Sequence, residues 1–176
     1  MRFATTFAAV AVVLTAALAG AQQNVVKRGA PMRPGMTVAD WQKMYDKAEQ
    51  MFDHKDADAL FKYMAPGFTI TMGGKTMNSA EAKKGMATWF KMMKTVHCTM
   101  KVVKATGGGM NATVTDRFRN AGDMILKGKS AKTGKYVDVG TETATWVKTK
   151  GQWMMKSLVT DEEKVTLDGK PLKPGM

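Results

Sequence analysis

One cysteine, Cys98, is all this chain contains, so no disulfide can close within it and a small stapled scaffold is excluded. Histidine is nearly as scarce: His54 and His97 are the only two, and with a single cysteine they do not supply the ligand set of a zinc site. No metal and no cofactor is expected. Acidic residues are the minority, 15 against 27 Lys and Arg, for a formal net charge of +12. Such an excess attracts anionic surfaces and ligands but does not dictate a fold. The lysines are spread along the whole chain, and no basic tract is interleaved with stacking aromatics, so nucleic-acid binding is not expected. Weak contact with an anionic envelope is the partner that charge alone suggests. The apolar run Phe7 to Leu18 falls short of the ~20 residues a spanning helix needs, so no membrane span is expected.

That run follows Arg2 and ends at Ala19-Gly20-Ala21 before Gln22, the charged, apolar and small-residue order of a signal peptide. Residues 1–21 are therefore expected to be removed and the protein exported, periplasmic or secreted. Residues 22–36 hold Pro31, Pro34, Gly29 and Gly35 with few apolar anchors and read as a flexible lead-in. A domain over 37–165 follows, then a tail over 166–176. One domain of this size buries a core without staples.

Within the domain the apolar period changes once. Thr37 can cap a helix carrying Val38, Trp41, Tyr45, Ala48 and Phe52 at helical spacing. Asp56 can cap a short second helix with Ala59, Leu60, Tyr63 and Met64 on one side, ended by Ala65-Pro66-Gly67. Phe68, Ile70 and Met72 alternate as a strand, and after Asn78-Ser79 a third helix runs through Ala82, Met86, Trp89, Phe90 and Met93. From Val96 the period is two: one strand to about Ala105, a second over 110–119, a third over 124–127, then a hairpin whose turn is Lys148-Thr149-Lys150-Gly151 between Trp146 and Trp153. Helices first and an antiparallel meander after predict an α+β domain with the helices on one face of a curved sheet.

In their order, Lys55-Asp56-Ala57-Asp58-Ala59-Leu60, Tyr63-Met64-Ala65-Pro66-Gly67-Phe68-Thr69, Ser79-Ala80-Glu81-Ala82 and Thr143-Ala144-Thr145-Trp146-Val147-Lys148 with Gly151 and Trp153 resemble the nuclear transport factor 2-like superfamily. The nearest branch is that of the small bacterial SnoaL-like, ketosteroid-isomerase-like domains. The resemblance covers roughly residues 37 to 162. It implies a cone: a strongly bent antiparallel sheet wrapped around about three N-terminal helices, the cystatin-like roll, with a pocket at its open end. The superfamily holds isomerases, dehydratases, epoxide hydrolases and cyclases beside non-catalytic binding domains, so fold alone names no reaction.

The resemblance places Met72 at or beside the aspartate that ketosteroid isomerases use as base, and a thioether cannot abstract a proton. Many relatives carry histidines two and four residues beyond the position of Met155; here Ser157 and Val159 stand there. Other acids are present. In the strand 112–119, Asp116 shares a face with Ala112, Val114 and Phe118, where the charged form is disfavoured and a carboxyl becomes a usable acid or base. The plainer reading, taken first, puts Asp116 near a strand end, paired with a lysine or arginine. Tyr136, Asp138 and Glu142 share a face with Ala144 and Trp146; if that face looks inward, Asp116, Asp138, Glu142 and Tyr45 line a polar floor, and if the Val137-to-Val147 face does, the acids are ordinary surface groups. The Val/Thr face also suits a homodimer through the sheet. Cys98 alternates with Val96, Met100 and Val102 and reads as a buried, inert thiol. The 17 methionines occupy apolar positions, as core filler does, which outweighs a copper reading.

The expectation is an exported domain that binds a small molecule or partner in the mouth of the cone without catalysis, through Trp41, Tyr45, Met72, Trp89, Phe90, Met155 and Ser157. The alternative is an acid/base enzyme of cyclase, isomerase or lyase type using Asp116 and Glu142 with Tyr45.

Overall fold

The computed structural model describes residues 35–126 and 132–172; the expected signal peptide and nearly all of the lead-in lie outside the described residues. Three helices, α1 (Val38–Asp53), α2 (Ala57–Phe61) and α3 (Ser79–Met92), accompany seven strands: β1 (Met64–Met72), β2 (Lys75–Asn78), β3 (Met93–Gly108), β4 (Asn111–Ile125), β5 (Thr133–Thr149), β6 (Gln152–Leu167) and β7 (Lys170–Pro171). Each long helix starts where its sequence supplies a reciprocal cap. Thr37 and Asp40 exchange side-chain and backbone hydrogen bonds at α1, and Asn78 and Glu81 do the same at α3, satisfying donors that the first turn leaves free. Among the described residues no helix is long and apolar enough to cross a membrane.

The strands form one strongly curved, open sheet in the order β2-β1-β6-β5-β4-β3, with β7 on β6. The α+β class and the nested helices match the sequence reading; four details differ. The sheet is mixed, because β1 runs parallel to β6. Over the described residues the expected strands 110–119 and 124–127 are one strand, β4, since its pairing with β5 passes unbroken through Asn120, Ala121 and Gly122. Tyr63 and Met64 leave the second helix, and Pro66 and Gly67 lie in β1, where the β6 register shifts between Met64 and Thr69. Sheet pairing also continues past residue 165, through Leu167 and into β7.

Two apolar clusters fill the concave side. In one, Trp41 and Tyr45 of α1 pack on Cys98, Met100, Val102, Ala112, Val114, Phe118, Ala144 and Trp146. The rings of Trp146 and Trp153 each lie 5.2 Å from that of Trp41. In the other, Met93, Val96 and Tyr136 meet Trp89, Met124, Val165, Leu167 and Leu172. Phe52 and Phe90, edge to face at 5.7 Å, join α1 to α3.

Strand β3 ends the sheet, and a bare edge of that length is a pairing hazard. Polar side chains of α1 cover it. Gln42 accepts from Val102 N–H and donates to the Met100 carbonyl, both at 2.8 Å; Glu49 accepts from Met100 N–H; Asp53 accepts from Cys98 N–H at 2.7 Å and meets His97 Nδ1 at 2.8 Å. The helix thus imitates a neighbouring strand, and His97 serves the seam rather than a reaction. Gln42→Ala strands two partly buried backbone groups at once. It is expected to lower stability by ~2 kcal/mol in urea denaturation, with faster amide exchange confined to residues 100–102.

Candidate functional site

Between the two apolar clusters the concave face turns polar, and sheet register shows how. Asp116 of β4 lies opposite Glu142 of β5, Phe118 opposite Gly140, and Asn120 opposite Asp138. Across the next seam Glu142 faces Thr160, Gly140 faces Glu163, and Asp138 faces Val165 of β6. Side chains on opposed residues share a face, and Ala144, Trp146, Tyr136 and Val114 on that face are buried. Four carboxyl side chains therefore converge from three strands: Asp116, Asp138, Glu142 and Glu163. Of the two faces open to β5 in the sequence, the acidic one looks inward.

Asp116 is not a strand-end residue held by a cation. It sits mid-strand and fully buried; among the described residues neither carboxyl oxygen makes a hydrogen bond of normal geometry, and the Tyr45 phenol is the polar group beside it, close enough to favour the ionised form slightly against burial. The phenol oxygen of Tyr45, the indole N–H of Trp146, Asn120 Oδ1, Asp138 Oδ1 and Thr160 Oγ1 are likewise buried without partners there. Asp138 is 6 % exposed and takes one long bond, 3.4 Å, from Asn120 Nδ2. Burial disfavours the ionised form of each acid. It pushes Asp116 up to about 7, Asp138 up to about 6 and Glu163 up to about 7, with Asp138 adding repulsion at Glu163. Glu142 still touches solvent at part of its surface, yet protein crowds its carboxyl; burial and then repulsion from Asp116, Asp138 and Glu163 raise it well above the ordinary range. Burial, with Asp116 and Glu142 facing it, also raises the Tyr45 phenol, so it stays a neutral donor. The Cys98 thiol is raised mainly by burial and is inert.

The side chains named from sequence divide into four groups. Asp116, Glu142 and Tyr45 come together at the polar floor. Met72, two residues past Ile70, which is opposite Leu158 on the inner face, falls on that same face by alternation. Trp41 and Met155 belong to the apolar cluster at one end, Trp89 and Phe90 to the other end. Ser157 is on the convex side, its hydroxyl 2.6 Å from that of Thr145.

Two β-bulges explain both the misplaced residue and one that sequence missed. Register shifts between Trp146/Met155 and Thr145/Ser157, leaving Lys156 as the extra residue, and between Glu142/Thr160 and Thr141/Glu162, leaving Asp161. Each bulge reverses the phase of alternation. Counting by twos from Met155 predicts Ser157 inside, but the chain puts Leu158 there. Counting from Leu158 predicts Glu162, but the chain presents Glu163.

Among the described residues no three His, Cys, Asp or Glu side chains lie close enough to share a metal ion. A shallow groove of about 430 Å³ on α1, lined by Lys47, Gln50, Met51, His54 and Asp56, is open surface away from the acids.

No protein-family model and no curated protein matches the sequence. Solved structures do match the fold. LinA aligns at 13 % identity over 73 % of this chain and 87 % of its own, with a TM-score of 0.60. A putative scytalone dehydratase from Novosphingobium aromaticivorans aligns at 13 % over 70 % and 83 %, TM-score 0.59. A nuclear transport factor 2-like superfamily protein from Salmonella enterica aligns at 12 % over 70 % and 89 %, TM-score 0.55. This chain has the nuclear transport factor 2-like fold. Proteins of that fold include a hexachlorocyclohexane dehydrochlorinase, and identities this low carry the fold and no activity. Within the fold, the four acids lie on the concave face of β4 to β6, beneath Tyr45 of α1.

Proposed function

We propose that the polar region of the concave face is a small-molecule site and that the chain holds its ligand there without converting it. The observation that carries this reading is a set of buried polar atoms on one apolar face whose hydrogen-bonding capacity is not filled: both oxygens of Asp116, which have only the Tyr45 phenol beside them, with Asn120 Oδ1, Asp138 Oδ1 and Thr160 Oγ1. A buried polar group without a partner is costly, and a ligand that supplies partners recovers that cost. Such a site needs few convergent polar groups on an apolar wall. The inner positions of β3 to β6 hold no histidine, and Met72 occupies the place the resemblance gives to a base, which supports binding over turnover. The expected export, with a homodimer formed across Val137, Val139, Thr141, Thr143, Thr145 and Val147 on the convex face, belongs to the same proposal.

A second reading has its own support. Asp116 and Glu142 are direct cross-strand partners with raised pKa values, so one can hold a proton while the other accepts one at neutral pH. It is the arrangement a lyase or isomerase acting by proton transfer requires.

Native mass spectrometry of the protein purified from its own host separates the two. The expected result is a dimer carrying a co-purified small molecule that is recovered unchanged after prolonged incubation and is lost from Asp116→Asn. Consumption of that molecule by wild type but not by Asp116→Asn favours the proton-transfer reading. A ligand-free protein that also binds nothing from a host extract overturns the site.

A further inference from the structure

We propose that the end of the molecule formed by the β3–β4 turn, the β5–β6 turn and the start of α1 is a docking surface for an anionic lipid bilayer. It lies apart from the acid cluster and does not depend on any ligand there.

Three connections bring this end together. Gly108 pairs with Asn111 across the β3–β4 turn, Asn111 pairs with Val147, and Thr149 pairs with Gln152 across the β5–β6 turn. The N–H of Lys148 donates to the Met110 carbonyl at 2.8 Å, which ties one turn to the other. Gly35 lies so close to the first turn that a Cβ on it would meet the Gly107 carbonyl oxygen at 2.7 Å. Gln42, one helical turn past Val38, holds the Val102 N–H. Helix α1 therefore begins beside the last residues of β3.

The first ground is segregation of charge. Residues 97–115 and 143–160, this half of β3 to β6 with both turns, contain no aspartate or glutamate and five lysines: Lys101, Lys104, Lys148, Lys150 and Lys156. Every acid of those four strands stands in the other half. None of the five lysines is in an ion pair among the described residues. The acid that the first turn of α1 brings here, Asp40, is taken up by Thr37 and Lys43. Residues 22–34, which lead to Gly35, add Lys27, Arg28 and Arg33 and again no acid. Each lysine or arginine beside an anionic leaflet adds to the attraction.

The second ground is apolar exposure, which is independent of charge. Five large apolar side chains are exposed among the described residues, and three of them are at this end: Met110 at 59 %, Val38 and Val103 at 44 % each. Lysines alone suit any polyanion. Lysines set around exposed apolar side chains suit a bilayer interface, where binding grows with buried apolar area and with attraction to anionic headgroups together. Val103 is the extra residue of a bulge in the edge strand β3, and a bulge there disfavours addition of another strand as the occupant.

The test is co-sedimentation of the protein, purified from its own host, with two kinds of vesicle: phosphatidylcholine alone, and phosphatidylcholine with phosphatidylglycerol in equal amounts. Heparin binding is measured beside it. We expect binding to the mixed vesicles only, weakened by added salt. Lys104→Gln with Lys150→Gln is expected to weaken it about 25-fold, at about 5-fold for each lysine near an anionic surface. Lys91→Gln with Lys94→Gln makes the same charge change at the opposite end of β3 and is expected to weaken it less than about 2-fold, because distant charges are screened. Met110→Ser is expected to weaken vesicle binding about 3-fold or more by removing apolar contact, and to leave heparin binding unchanged. All five positions are exposed, and circular dichroism checks that each variant is native. Absence of binding to the mixed vesicles overturns the proposal, and so does equal binding to both kinds. Equal loss in the two double variants overturns it by showing that diffuse charge is responsible. Vesicle binding untouched by Met110→Ser assigns the lysines to a soluble polyanion and overturns it as well.

Discussion

Replacing Asp116 by asparagine is expected to stabilise the protein at pH 8 by up to about 4 kcal/mol and to flatten its stability profile. The sign follows from proton counting. Asp116 titrates near its ordinary value when unfolded and at about 7 when folded, chiefly because it is buried. Between pH 4 and 7 the folded state holds a proton that the unfolded state has released, so stability falls as pH rises across that window. Below pH 4 the group costs nothing extra. Above pH 7 the full penalty applies, ~1.4 kcal/mol for each tenfold difference in proton affinity between the folded and unfolded states. Asparagine matches the shape and cannot ionise. Asp138 and Glu163, raised to about 6 and about 7 by burial, act in the same direction, so Asp116→Asn keeps a weaker slope. Urea unfolding from pH 4.5 to 8.5 measures this, and a wild type that is more stable at pH 8 than at pH 5 would show that Asp116 is solvated or paired. A variant gaining stability while losing its ligand is the signature of a site maintained at the expense of the fold.

The opposite effect is expected from a single methyl group on the bend of the sheet. A Cβ built on Gly122 would lie 2.0 Å from the Thr95 carbonyl oxygen and 2.8 Å from its carbon; one built on Gly140 would lie 2.1 Å from the Glu162 carbonyl oxygen and 2.7 Å from the Phe118 ring. Backbone atoms of a neighbouring strand cannot rotate aside as a side chain does. Both glycines stand beside register shifts, Gly122 near the one between Met93 and Thr95, Gly140 near the one at Thr141/Glu142. Glycine in a strand interior marks this kind of close approach. Gly122→Ala and Gly140→Ala are therefore each expected to cost ~3 kcal/mol or more, the upper end for a point change, because in both the nearest clash is with a backbone carbonyl oxygen. Thermal unfolding followed by circular dichroism reads the effect. A loss under ~1 kcal/mol, the middle of the range for ordinary substitutions, would mean the strands separate easily and the curvature is not held there.

Much of this architecture was legible because it rests on local rules. The caps at Thr37 and Asn78, the helical stripe Trp41-Tyr45-Ala48-Phe52 and the two-residue period of β3 to β5 are all written within a few neighbouring positions. Asp116 on the same face as Val114 and Phe118 was equally readable, since β4 carries no shift on its β5 side. Strand β6 was not. Its phase changes at Lys156 and Asp161, and nothing local announces an extra residue in a strand of mixed polar character. Ser157 was therefore assigned inward and Glu163 passed over. The service of Gln42, Glu49 and Asp53 to the β3 edge also escaped notice, although their spacing of seven and four residues puts them on one side of α1 beside the apolar stripe.

By itself, then, the sequence determined the elements, their caps, the alternation of β4 and β5 and the presence of acids on an apolar face, because each depends on neighbours a few residues away. Tertiary structure alone decided which face of β5 looks inward, that β1 runs parallel to β6, and that Asp116, Glu142, Glu163 and Tyr45 share one enclosure. Those outcomes depend on strand register, which is set by the best total burial over the whole sheet and cannot be read from any one strand.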